Sequence, residues 1–273
     1  MNQNRRVLPG FAGSLTFTLV YLGLLVGAPL VACIAKAGSL SPAEFLGAAW
    51  SPRARSAYSF TVGASLVAAV TSVLLGLLVA WVLVRYEFVG KRLMDSLVDL
   101  PLALPTAVAG LVYSSLYVEH GWLGQFLVPL GIHGAYSRLA VVLVLIFLGL
   151  PFVVRTIQPV LESIEADVEE AASLLGANRL QTFARVILPT LVPAGITSFA
   201  LALARGLGEY GSVVFVSGNM PFRTEIAPVL IVAKLEEFAY AEATAIAVVL
   251  LAMSLVMLVA VNVLERWSSS RYA

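Results

Sequence analysis

Between Arg138 and Arg155 the chain reads Leu139-Ala140-Val141-Val142-Leu143-Val144-Leu145-Ile146-Phe147-Leu148-Gly149-Leu150-Pro151-Phe152-Val153-Val154, without one charged side chain. A helix rises 1.5 Å per residue and a bilayer core is roughly 30 Å thick, so about 20 mostly apolar residues suffice to cross it. With its flanks, 138–157, this run has that length. In lipid every backbone polar group must be satisfied internally, which makes such a run a helix. It also lacks the alternating pattern of a barrel strand. Comparable runs occupy 13–34, 57–84, 98–117, 191–216 and 243–264. The expectation is an all-α polytopic membrane protein, a single transmembrane domain over residues 1–273 with six helices.

Composition agrees. Mean hydropathy is +0.93, with 60% hydrophobic and 12% charged residues, far outside soluble usage. A net charge of +1 gives no nucleic-acid footprint. The single cysteine, Cys33, excludes an internal disulfide, and His120 and His133 stand outside any H-E-x-x-H spacing, so no metal site is expected. Leu30-Val31-Ala32-Cys33 resembles a lipoprotein cleavage box, but the run from Phe11 to Ile34 exceeds a signal-peptide core and reads as an uncleaved first span.

The Lys/Arg bias sets orientation. Arg5, Arg6, Arg85, Lys91, Arg92, Arg155, Arg179, Arg185, Arg266 and Arg271 fall on the cytoplasmic side, together with both termini. Lys36, Arg53, Arg55, Arg138, Arg223 and Lys234 fall outside, in segments 35–56, 118–137 and 217–242. Trp50, Trp81, Trp122 and Trp267 lie near span ends, where interfacial aromatics gather. Pro101 and Pro105 open the third span, and Pro151 and Pro159 bracket the end of the fourth. They mark either helices broken around a pathway or ordinary membrane-helix proline.

The longest cytoplasmic loop, about 156–190, carries the functional signal. Asp167 and Glu170 make a capping-box-like start, and Val168, Ala171, Ala172 and Leu175 then form one apolar helical face. Gly176 ends that helix, and Asn178 with Gln181 restarts a second short one bearing Leu180, Phe183, Ala184 and Ile187. Leu188-Pro189 leads into the next span. Two short amphipathic helices around a glycine make a compact docking knob.

Glu170-Ala171-Ala172, then Gly176, then Leu188-Pro189 resembles the EAA loop of ABC-importer permeases, with Val186 where isoleucine is usual. The resemblance implies the type I importer permease fold, with residues about 165–189 as the ATPase-coupling loop. No G-x-x-x-x-G-K-[ST] occurs, so ATP and Mg are expected on a partner and no cofactor on this chain, which is not itself an enzyme. Gly206-Leu207-Gly208-Glu209-Tyr210-Gly211 matches G-x-G-x-x-G, but it lies in a membrane span with no strand before it. It reads instead as glycines of close helix packing.

In the same span Arg205 and Glu209 are four residues apart and share a helix face. A charge at the bilayer centre costs on the order of 3 kcal/mol, so the two read as a buried packing pair or as part of a pathway or gate. Arg205 to Asn219 resembles the oxyanion branch of these permeases. Arg6 to Phe11, Asp99 to Leu111 and Pro151 to Thr156 are similar to the T-type subunits of sulfate/thiosulfate importers. The resemblance implies two permease subunits, this chain with a W-type partner or a second copy, together with two cytoplasmic ATP-binding-cassette ATPases and a periplasmic sulfate-binding protein. The assembly would import sulfate, and with it thiosulfate, across the bacterial inner membrane. Molybdate or tungstate is the alternative cargo, and a secondary transporter without an ATPase the more distant one.

Overall fold

The computed structural model describes residues 11–272, with side chains through Trp267. Arg5, Arg6, the stretch up to Gly10 and the side chain of Arg271 lie outside the described residues. In chain order the helices are α1 (Phe11–Ala37), α2 (Pro42–Ala49), α3 (Pro52–Arg85), α4 (Lys91–Val98), α5 (Thr106–Tyr117), α6 (Arg138–Ser163), α7 (Ala166–Leu174), α8 (Arg179–Leu207), α9 (Ala227–Glu236) and α10 (Tyr240–Tyr272). Single helical turns at Leu100–Ala103 and Val213–Val216 stand between them. Among the described residues five helices, α1, α3, α6, α8 and α10, are long and apolar enough to cross a membrane.

The third expected span is not one helix. Residues 98–117 instead follow the end of α4 with the turn Leu100–Ala103 and then α5, the last two parted because Leu104 and Pro105 take extended backbone, with ψ of 134° and 133°. Pro105 disfavours the helical region for Leu104, which accounts for the break. Pro151 and Pro159, by contrast, sit inside an α6 that continues through both. The fifth expected span also needs correction. α8 ends at Leu207 rather than near 216, so Glu209 lies past the helix terminus.

α1 and α8 use the same device to carry a proline. Each contains a five-residue π turn, Gly23–Gly27 and Phe183–Ile187, closed by Ala28 N–H to Gly23 O and Leu188 N–H to Phe183 O. Pro29 and Pro189 follow directly. A proline ring clashes with the carbonyl four residues back and offers no N–H, and a widened turn ahead of it keeps the helix continuous. The second helix of the docking knob is therefore not a separate short element, as expected from sequence, but the first turns of α8.

α3, α6 and α8 pack mutually and form the core. α3 contributes small buried residues, Ala64, Ala68, Ala69, Ser72, Gly76 and Ala80. Val141, Val144 and Leu145 of α6 cluster with Ala64 and Ala68, while Val153, Val154 and Ile157 of α6 and Leu191 and Leu203 of α8 cluster with Ala69 and Ala80. In lipid the drive to associate is close packing, and small side chains let backbones approach. α10 packs on α8, and α1 touches α10 at the edge, its first part Phe11–Leu22 burying nothing.

The two ends of α3 fix the sidedness of the bundle. At its start Arg53 donates from Nε and Nη2 to the two oxygens of Glu225, at 2.9 and 2.7 Å, with the Glu225 side chain only 3% exposed. Nearby Arg138 Nε donates to Arg223 O (2.7 Å) and Tyr136 N–H to Val216 O (2.8 Å). At the other end Arg85 pairs with Glu169. The 34 residues of α3 separate these ends by about 50 Å at 1.5 Å per residue, so the segments around 136–138 and 217–226 lie opposite the 164–178 loop.

Candidate functional site: a bare coupling loop and a capped ion pair

α7 starts after Ile164 and Glu165, both in extended backbone, and Glu165 makes no side-chain cap. The expected Asp167–Glu170 capping box does not form, since Asp167 already lies within the first turn. The end of the helix is as expected. Gly176 takes φ +85°, Gly176 N–H donates to Ser173 O (2.9 Å) and Ala177 N–H to Ala172 O (3.0 Å). This is a Schellman closure, in which a left-handed glycine lets the last carbonyls be satisfied. The restart is also as expected: Asn178 Oδ1 accepts from Gln181 N–H and Gln181 Oε1 from Asn178 N–H, both at 2.9 Å.

The apolar face foreseen on α7 points away from the molecule. Of that face Leu175 is 89% exposed and Val168 45%; outside it, Leu174 is 89% exposed and Leu180, on the second limb, 75%. Glu170 and Ala171 are exposed as well, Ala172 is half-buried, and Leu188 and Pro189 sit in α8 beyond the π turn. The loop therefore presents leucines and alanines together with the carboxylates of Asp167 and Glu170.

What holds the loop to the bundle was not legible in its own sequence. Arg85 and Trp81, one turn apart at the end of α3, take hold of both of its limbs. Arg85 pairs with Glu169 on α7, while Trp81 meets Phe183 of the π turn edge-on, with ring centroids 5.4 Å apart. The Arg85 guanidinium also stands 5.6 Å from the Trp81 ring centroid. The spacing Trp81-x-x-x-Arg85 at a span end was the available signal, and each residue alone passes for an interfacial anchor.

Arg205 and Glu209 do pair, through Arg205 Nη1 and Glu209 Oε2. Glu209 is 2% exposed and does more than neutralise Arg205. Its Oε1 accepts from both the backbone N–H and the hydroxyl of Ser212, each at 2.8 Å, and so holds the entry to the turn Val213–Val216. α5 presses on this corner: a Cβ on Gly110 would collide with the Ser212 backbone and one on Gly211 with Thr106. The glycines read as packing residues do allow close approach at Gly211, against α5, and at Gly206, against Ser65, whereas a Cβ on Gly208 would meet only the Ala204 carbonyl at ordinary contact distance.

A second clamp fixes the broken third segment. Arg155 on α6 donates to Asp99 through Nε (2.8 Å) and Nη2 (2.7 Å), to Asp95 Oδ1 through Nη1 (2.6 Å), and to the Asp95 carbonyl through Nη2 (2.8 Å). Sequence reading placed Arg155 only as a cytoplasmic charge. The Asp-x-x-x-Asp spacing of Asp95 and Asp99 puts both carboxylates on one side of α4, where a planar five-donor guanidinium can take both.

Long apolar helices, one expected span broken at its prolines, and a loop left bare at one end together define a multi-pass membrane transport subunit. The chain belongs to the family described as "Binding-protein-dependent transport system inner membrane component", whose model matches residues 72–273. Its fold is that of the type I ABC importer permeases. The "Probable sulfate transport system permease protein cysT" of Nephroselmis olivacea is 50% identical over 260 residues, covering 95% of this chain and 90% of the relative. The "Sulfate transport system permease protein CysT" of Escherichia coli is 43% identical, covering 96% and 95%. Among solved structures, a bacterial ABC transporter that imports alginate superposes with a TM-score of 0.72 at 18% identity, covering 93% of this chain and 94% of that one, a likeness of fold.

Proposed function

We propose that this chain is the membrane-embedded permease subunit of an ATP-driven importer of sulfate, with thiosulfate as a second cargo. It would span the bacterial inner membrane with both termini cytoplasmic. The observation that carries the energising step is the exposed loop. A surface of Leu174, Leu175, Leu180 and Ala171 left bare beside Glu170 is what a partner's cleft would cover. Two ATP-binding-cassette ATPases would dock there, supplying ATP and Mg, with Glu170, Ala171, Ala172, Gly176, Leu188 and Pro189 as the coupling residues. Support for sulfate comes from relatives named as sulfate transport permeases at 43–50% identity over nearly their whole length. A W-type subunit or a second copy would complete the pathway, and a periplasmic sulfate-binding protein would deliver cargo at the Arg53–Glu225 end. Arg205 and Glu209 would line or gate that pathway from one subunit.

Mild-detergent extraction followed by affinity capture of this chain tests the energising step. An ATPase subunit should copurify in stoichiometric amount and be lost when α7 is deleted. Capture of the chain without an ATPase would contradict it.

A further inference from the structure

The coupling loop must push on the bundle somewhere, and its own helix lacks the usual means. α7 buries no residue. Its main backbone neighbours are the first turns of α8, residues 179–187, rather than α3 or α6. A cavity of about 440 Å³ lies behind it, lined by Arg85, Glu169, Ser173, Arg179 and Phe183 among others. A helix with no fully buried side chain interlocks little with its neighbours, so packing is a poor route for a lateral shift. What reaches across from α7 to α3 is the Glu169 carboxylate, joined to Arg85 at the last residue of that helix. The paired atoms, Arg85 Nη2 and Glu169 Oε1, are both shielded from solvent.

We propose that Arg85 and Glu169 form the joint through which displacement of α7 moves α3, with Arg85 as a positioning residue for transport. The inference rests on the docking reading given above and deepens it. An ion pair shielded from water resists both pulling and pushing, whereas an apolar contact simply separates. Arg85 is held from its other side by the Trp81 ring, and Trp81 bears on Phe183, so the two limbs of the loop move α3 together. α3 in turn packs along α6 and α8, so a shift of its end is delivered to the whole core.

The test uses the full complex in proteoliposomes, with sulfate uptake and ATP hydrolysis measured in the same vesicles. Glu169→Gln and Arg85→Met should retain the copurified ATPase and its hydrolysis. Sulfate imported per ATP hydrolysed should fall at least about fivefold, the low end of ordinary coupling between sites. The exchange variant, Arg85→Glu with Glu169→Arg, restores the pair without the guanidinium over Trp81 and should recover most of the ratio. A purely structural role would lower uptake and hydrolysis in proportion. An unchanged ratio in both single variants overturns the proposal, as does an exchange variant no better coupled than the singles. Should a single variant fail to assemble, the exchange variant decides on the same criterion. Failure of the docking reading looks different: the ATPase would then copurify equally with wild-type chain and with chain lacking α7.

Discussion

Glu209 shows what a sequence can and cannot say about one side chain. Its partnership with Arg205 was legible, because two charges four residues apart in an apolar run have few other choices. Its second role was not, since that depends on α8 ending at Leu207 and on Ser212 turning back toward it. From spacing alone, each single substitution should harm the protein more than the double one, because it strands a charge. The structure changes that expectation. Arg205→Met leaves Glu209 its two bonds from Ser212, whereas Glu209→Ala strands the arginine and also frees the Ser212 N–H and hydroxyl. Glu209→Ala should therefore cost more, with the breakage of buried pairs giving about 3–5 kcal/mol as the scale. Adding Arg205→Met to it should recover only part of the loss. Thermal unfolding in detergent, followed by loss of the monodisperse peak, would show this ranking. Equal melting of the two single variants would remove the capping role assigned to Glu209.

At the scale of elements, the loop between α6 and α8 was the best-read part of the chain. Gly176 as the left-handed closure and Asn178–Gln181 as the restart follow from local chemistry, and both are found. The capping box expected at Asp167 does not form, and the helix starts two residues earlier, because the extended pair Ile164 and Glu165, not a capping side chain, ends one helix and opens the next. The continuity of α8 was also missed. A Leu-Pro step reads as a boundary, and whether a proline breaks a helix or is absorbed by a π turn depends on the surrounding packing. Pro105 breaks its helix, while Pro189 does not. At Gly176 a side chain has open space, so any penalty comes from φ +85° alone. Placing a β-branched residue there should cost about 1–2 kcal/mol locally. Transport should fall in the order Gly176, Gly176→Asn, Gly176→Ala, Gly176→Val, because asparagine tolerates the left-handed region best. Membrane insertion should be the same for all four. Wild-type uptake by the Val variant would show that the shape of the loop is not what the ATPase engages.

For the whole molecule, hydropathy located the membrane runs but not how each is used. Three of the expected spans form the core, one is broken and held by Arg155, and α1 lies at the edge with its first part unburied. Those differences arise from contacts far apart in sequence, such as Arg53 with Glu225 and Arg155 with Asp95 and Asp99, which no window of twenty residues contains. The topology itself makes a prediction. Reporter fusions after residue 130 and after the last residue should report opposite sides of the membrane, with the second cytoplasmic. A periplasmic C-terminus would mean that the broken α4–α5 segment does not complete a crossing. The most direct measurement of the central claim is uptake of radiolabelled sulfate by proteoliposomes holding this chain, its copurified subunits and the periplasmic binding protein, with ATP inside. The account predicts accumulation that requires ATP, is competed by thiosulfate far better than by molybdate, and disappears when α7 is deleted. Sulfate accumulation that proceeds without ATP, or ATP-driven uptake of molybdate in preference to sulfate, would contradict it.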